Sequence, residues 1–112
     1  MESVLRRERY GAIERLVLNR PEQDNMLNDE LSAALSEAFR DLAKDPSVHI
    51  IIVTGSGKSF CKSADGEEIR EKYFGDPNAY RSYLIAVRDL HLLMQSVPKP
   101  IIAAVNGVAA SL

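Results

Sequence analysis

Gly55-Ser56-Gly57-Lys58-Ser59 follows an apolar run and invites comparison with a phosphate-binding loop. Such a loop needs G-x-x-x-x-G-K-[ST], so that successive backbone amides can wrap the phosphates. Ile52 stands where the first glycine would have to be, so the segment reads as a plain glycine turn. Asp65, Glu67, Glu68 and Glu71 are the next candidates, since carboxylates can carry protons in general acid–base catalysis. On a short helix, however, a run of this kind is expected to be a solvated face. His91 shares a helical face with Val87 and Met94, which reads as a packed or boundary histidine rather than a general base. Cys61 closes an apolar segment with no base near it in sequence, the pattern of a small buried thiol rather than a nucleophile. With one cysteine, and His49 and His91 as the only histidines, the chain is expected to hold neither a zinc site nor an internal disulfide.

The elements that would position these residues follow from periodicity and punctuation. Val4 to Arg9 and Ala12 to Asn19, separated by Tyr10-Gly11, predict a hairpin with a largely buried second strand. Pro21 breaks that strand, because it lacks a ladder donor and restricts Arg20. Asn28 can cap a helix whose first turn carries Asp29 and Glu30, and Leu31, Leu35, Ala38 and Leu42 give it one buried face. Ile50-Ile51-Ile52-Val53, within Val48 to Thr54, predicts a strand of a mostly parallel sheet covered on both faces. A short strand at Ser59-Phe60-Cys61 and a short helix from Glu67 to Tyr73 come next. Asp76-Pro77 then opens a longer helix, whose stripe Tyr80, Leu84, Val87, Leu90, Met94, Val97 runs to Pro98. Ile101 to Val105 is a last apolar strand, closed by Asn106-Gly107. The order predicts an α/β fold with helical crossovers between parallel strands. An apolar strand so near the end leaves the later sheet uncovered, which suggests part of a larger domain.

Composition bounds the function. The chain has 112 residues, 46% of them hydrophobic and 27% charged, with a formal net charge of −2. That mix suits a single folded domain large enough to bury a core. The charge is too small for an electrostatic hold on nucleic acid or an anionic membrane. The longest apolar runs fall far short of the roughly 20 residues that cross a bilayer. The N-terminal arginines are followed by no apolar stretch, so no secretory signal is read and an intracellular, reducing compartment is expected.

Five segments, taken together and in order, carry more information than any one. They are Asn19-Arg20-Pro21-Glu22, Asn25-Met26-Leu27-Asn28, Thr54-Gly55-Ser56-Gly57-Lys58, Phe60-Cys61-Lys62-Ser63-Ala64-Asp65, and Pro98-Lys99-Pro100-Ile101-Ile102-Ala103-Ala104-Val105-Asn106-Gly107. Their sequence and separations resemble the crotonase family of enoyl-CoA hydratases and isomerases, over about Ile13 to Gly107. The resemblance implies an α/β spiral of ββα units, of which residues 1–112 would be the N-terminal portion of one acyl-CoA-binding domain. It implies an acyl-CoA thioester as substrate, with coenzyme A present only as part of it and no separate cofactor. It also implies a homo-oligomer, a trimer or hexamer, in the cytoplasm or in a mitochondrial or peroxisomal matrix.

The shared chemistry of that family is an oxyanion hole of two backbone N–H groups, which hold the thioester oxygen as it becomes an enolate. By position in the motif the first donor is Ala64, and the second falls near Ser111 and Leu112. Asn25, Met26, Lys62, Ser63 and Asp65 are the implied substrate-binding residues. The sequence departs from the family pattern at Lys62 and Ser63, where a small residue and a glycine are usual, and at Gly66, where a larger residue is common. The family's hydratase glutamates lie past Leu112, so the 112-residue chain alone is expected to be inactive. The alternative is a truncated or divergent member that binds or assembles without catalysis.

Overall fold

A computed structural model describes residues 3–110. β1 (Leu5–Tyr10) and β2 (Ile13–Leu18) form the expected antiparallel hairpin, turning at Gly11, whose φ is +60°. β2 then pairs in parallel with β3 (Ile50–Gly55), and β3 with β5 (Ile101–Ala103), giving the sheet order β1-β2-β3-β5. Parallel neighbours need a crossover connection, and α1 (Asp29–Lys44) and α3 (Pro77–Ser96) supply it. β4 (Ser59–Cys61) pairs in parallel with β6 (Val108–Ala109) as a separate two-stranded sheet. Between β4 and α3 lies the short α2 (Gly66–Tyr73).

The core forms where α1 lies on the sheet. Leu31, Leu35, Ala38, Phe39 and Leu42 bury one side of α1 against Leu16, Leu18, Ile51 and Val53. Asn28 caps this helix as its sequence predicts, its side chain accepting from the Leu31 N–H. On the same face of β2, Glu14 is only 4% exposed. It survives there because Arg7 and Arg9 of β1 both donate to its carboxylate, at 2.7 and 3.0 Å.

Four expectations need correction. The stripe of α3 is not one buried face: Leu90 alone is buried in the helix, followed by Val97 just beyond it, while Tyr80 and Leu84 are exposed. Only one face of β3 is fully covered, since Ile51 and Val53 are buried while Ile50 and Ile52 are half-buried. The last apolar strand ends at Ala103, because Ala104 to Asn106 turn toward the glycine loop and a new strand, β6, begins at Val108. His91 is exposed rather than packed or at the boundary of the core, with Nδ1 2.8 Å from the carbonyl oxygen of Val87.

Candidate functional site

Two loops meet at Leu27 and Ala64. The first follows β2: Pro21–Gln23 makes one short 3-10 turn, and Asp24 and Asn25 then both take positive φ, 52° and 54°. Asn and Asp are the residues that tolerate this region best after glycine. Asn25 is completely buried. Its Oδ1 accepts from the Arg20 N–H at 2.8 Å, while its Nδ2 donates to the carbonyls of Ser56 (2.9 Å) and Ser59 (2.8 Å). An implied substrate-binding residue thus spends its polar atoms inside the protein, tying the 20–27 loop to the glycine turn. The tie is tight: a Cβ on Gly55 would lie 2.7 Å from the Phe60 carbonyl and 2.8 Å from Asn25 Nδ2.

The second loop, residues 62–65, is laid along the first by backbone bonds. Lys62 N–H donates to Asp24 O at 3.1 Å, Leu27 N–H to Ser63 O at 2.9 Å, and Asp65 N–H to Leu27 O at 2.9 Å. Leu27 and Ala64 form one rung of a parallel ladder. In such a rung the partner strand is served by the residues on either side, so the N–H of Ala64 points away from Leu27. No acceptor meets it among the described residues. Backbone N–H groups are rarely left without a partner unless solvent or a ligand serves them.

The other implied residues surround this amide. Ser63 is half-buried and its hydroxyl donates to the Ala64 carbonyl at 2.8 Å. Positive φ outside glycine is confined to Asp24 and Asn25 among the described residues, so serine in place of the usual glycine strains nothing at Ser63. Lys62 is exposed and Met26 half-buried. Asp65 caps α2, accepting from the Glu68 N–H at 3.2 Å. Its second oxygen accepts from Arg20 Nη2 at 3.2 Å, with both side chains 13% exposed. Leu112 and Ser111, expected to carry the second donor, lie outside the described residues. The chain leading to them runs beside the strand that precedes the first donor's loop, since β6 pairs in parallel with β4, with a register shift between Ser59 and Cys61, and the Ala110 N–H donates to Cys61 O at 3.1 Å.

The acidic run divides. Glu67 and Glu71 are exposed, as expected of a solvated face, but Glu68 accepts from the Asp29 N–H at 2.9 Å. Tyr73 closes the other end of α2, donating to Asp29 Oδ2 at 2.5 Å, and that bond pushes its phenol up to about 12. Cys61 is buried, and burial pushes its thiol up, away from a reactive thiolate. Among the described residues no cluster of three or more His, Cys, Asp or Glu is disposed to hold a metal ion. An apolar cleft of about 460 Å³ opens beside the junction, its wall including Leu18, Leu27, Phe60, Cys61 and Met94.

The family pattern of enoyl-CoA hydratase/isomerase matches residues 8–111, nearly the whole chain. The chain belongs to that family. It is 35% identical over 111 residues to the 1,2-epoxyphenylacetyl-CoA isomerase of Escherichia coli K12, covering 98% of this chain and 42% of that protein. An enoyl-CoA hydratase of Alternaria alternata is 36% identical over 96 residues, 85% of this chain and 30% of the relative. Among solved structures, an enoyl-CoA hydratase of Mycobacterium smegmatis superposes with a TM-score of 0.86 at 36% identity, covering 93% of this chain and 40% of that one. The chain therefore spans less than half the length of the relatives it matches, with the mixed α/β architecture of the crotonase fold.

Two residues of this family member carry more of the site than periodicity reveals. Arg20 is legible as the residue before a proline within the Asn19-Arg20-Pro21-Glu22 segment, with no partner indicated, yet its guanidinium reaches both the Met26 carbonyl and Asp65, 45 residues away. Asn106, legible only as part of an Asn-Gly turn, accepts from the Gly55 N–H at 3.0 Å and donates to the Gly57 and Ser59 carbonyls. The one signal available for each is a polar residue fixed beside a turn-former within the family's motifs.

Proposed function

We propose that this protein acts on acyl-CoA thioesters as an enzyme of the hydratase/isomerase type, with the Ala64 N–H donating to the thioester oxygen as it becomes an enolate. The observation that carries the reading is that amide, without an acceptor among the described residues, on a loop whose flanking residues are bonded to the 24–27 segment. A donor fixed before the substrate arrives needs no reorganisation when charge moves onto the oxygen, which is the source of its catalytic value. α2 begins immediately after Asp65, so its N-terminal end, which favours negative charge, is next in the chain to this amide. The apolar cleft beside Leu27 and Cys61 suits an acyl group, and exposed Lys62 suits a coenzyme A phosphate. Coenzyme A enters only as part of the substrate, and the second donor is assigned to the segment after Ala110. Homo-oligomeric assembly and a cytoplasmic or organellar-matrix location belong to the same reading.

Binding is tested on the longest polypeptide that contains these residues, by calorimetric titration with acetyl-CoA and butyryl-CoA. Saturable heat is expected, and none at millimolar ligand overturns the reading. Turnover is tested in the longest polypeptide that contains these residues, because the relatives are more than twice as long. Ala64→Pro removes the N–H outright and is expected to lower crotonyl-CoA hydration or double-bond migration by about a hundredfold or more, with circular dichroism unchanged. An unchanged rate would make Ala64 an ordinary loop residue. Binding without turnover in every form would assign the noncatalytic role instead.

A further inference from the structure

We infer that Arg20 is a positioning residue for the oxyanion donor: its guanidinium, clamped between the Met26 carbonyl and the Asp65 carboxylate, sets where the Ala64 N–H points. The inference rests on the reading above that Ala64 donates to a thioester oxygen. Met26 and Asp65 flank the Leu27–Ala64 rung, one on each loop, and Arg20 donates to both through Nη1 and Nη2. A guanidinium presents its donors in a rigid plane, so two simultaneous bonds fix the separation and the mutual angle of the groups they join. Arg20 is itself held from behind: its backbone N–H is bonded to the buried Asn25 and Pro21 restricts its φ and ψ. The clamp is therefore anchored at three points and is largely out of solvent, with 13% exposure at each side chain.

The same pair answers an electrostatic problem. Asp65 is adjacent in sequence to the amide that would meet a developing negative charge, and an unpaired carboxylate there would oppose it. Arg20 neutralises that carboxylate through Oδ2 while Oδ1 stays on the Glu68 N–H. The loop thus keeps its helix cap without presenting a bare negative charge to the site.

The test separates the carbonyl contact from the rest of binding. Butyryl-CoA and its thioether S-butyl-CoA differ at the carbonyl oxygen that the Ala64 N–H would serve. The wild-type protein is expected to bind the thioester about two- to tenfold more tightly, the worth of one such hydrogen bond. In ¹⁵N-labelled protein the Ala64 amide proton should move downfield with the thioester and not with the thioether. Arg20→Met should bring the affinity ratio to about one and abolish the shift, with thioether affinity held within about twofold of wild type. Arg20→Lys, which keeps the charge without the fork, should be intermediate. Asp65→Asn keeps an oxygen for the helix cap and should behave like Arg20→Met. If Arg20→Met does not fold, Arg20→Lys and Asp65→Asn carry the test. Variants that retain the wild-type ratio and shift overturn the inference, as does an equal loss of affinity for both ligands. A wild-type protein with no thioester preference overturns the reading of Ala64 itself, a result distinct from either.

Discussion

The loop junction around Leu27 and Ala64 and the outer half of α3 are held by opposite means. At the junction, Arg20, Asn25 and Asn106 each spend side-chain polar groups on segments far away in the chain, and every buried polar side-chain atom among the described residues has a partner. On the outer half of α3 almost nothing is spent: Leu84 is 51% exposed and nearby Phe74 64%. The sheet edges share that condition, with Ile102 of β5 and Val108 of β6 both about half exposed. A site built from a backbone N–H can only be as well defined as the polar bonds that orient its loop. An apolar stripe marks where a surface could be covered, and only the packing says whether it is.

The contrast is sharpest between two apolar side chains. Phe39 is fully buried between α1 and the sheet, so Phe39→Ala is expected to cost about 3–5 kcal/mol in urea denaturation. Leu84→Ala, at an exposed position, is expected to change stability by less than about 0.5 kcal/mol. A Leu84→Ala loss approaching that of Phe39→Ala would break the comparison, because it would mean that the outer half of α3 is covered in solution. Light scattering would then identify a second copy as the cover.

Asn25→Ala comes next in size. It leaves the Arg20 N–H without its acceptor, and the Ser56 and Ser59 carbonyls each lose a donor. Removing one partner from a buried polar group costs about 1–3 kcal/mol, so a loss of about 2 kcal/mol or more is expected. Hydrogen exchange should locate the loosening at residues 20–27 and 55–65, with α1 still protected. Uniform loss of protection would show that the junction is no separate unit.

What could be read from the sequence follows the same division. The caps of α1 and α3, the buried face of α1 and the turn of the hairpin were legible because each depends on residues within four positions of one another, as with Asn28 and Leu31, Asp76 and Ala79 or Tyr10 and Ile13. The family's motif placed Ala64 beside Asp65, but the rung with Leu27 joins residues 37 apart and has no local period. Arg20 was hidden for the same reason, since Pro21 explains its neighbourhood without any need for a partner. The stripe on α3 misled in the other direction. Tyr80, Leu84, Val87 and Leu90 have helical spacing, yet spacing reports only that a face is apolar, and the packing in this chain reaches no further out than Leu90 as a fully buried residue.

The smallest effect tests a polar contact that ties α2 to the start of α1. Tyr73 ends α2, donates to Asp29 at the start of α1, and stacks on Tyr83 of α3 with ring centroids 4.9 Å apart. Its bond to Asp29 holds the phenol proton until about pH 12, above the ordinary tyrosine value of 10.0. The sign follows from the donor: the neutral phenol makes the bond, and the folded state holds that proton more tightly than the unfolded chain does. The stabilisation is therefore fully present below pH 10.0 and is lost as pH rises toward about 12. Ultraviolet difference titration should show a late-ionising phenol that Tyr73→Phe removes, and the alkaline fall in stability should be shallower in that variant. If Tyr73→Phe instead removes a phenol that ionises near the ordinary value of 10.0, the bond to Asp29 is not formed in solution and α2 is tied to the start of α1 without it.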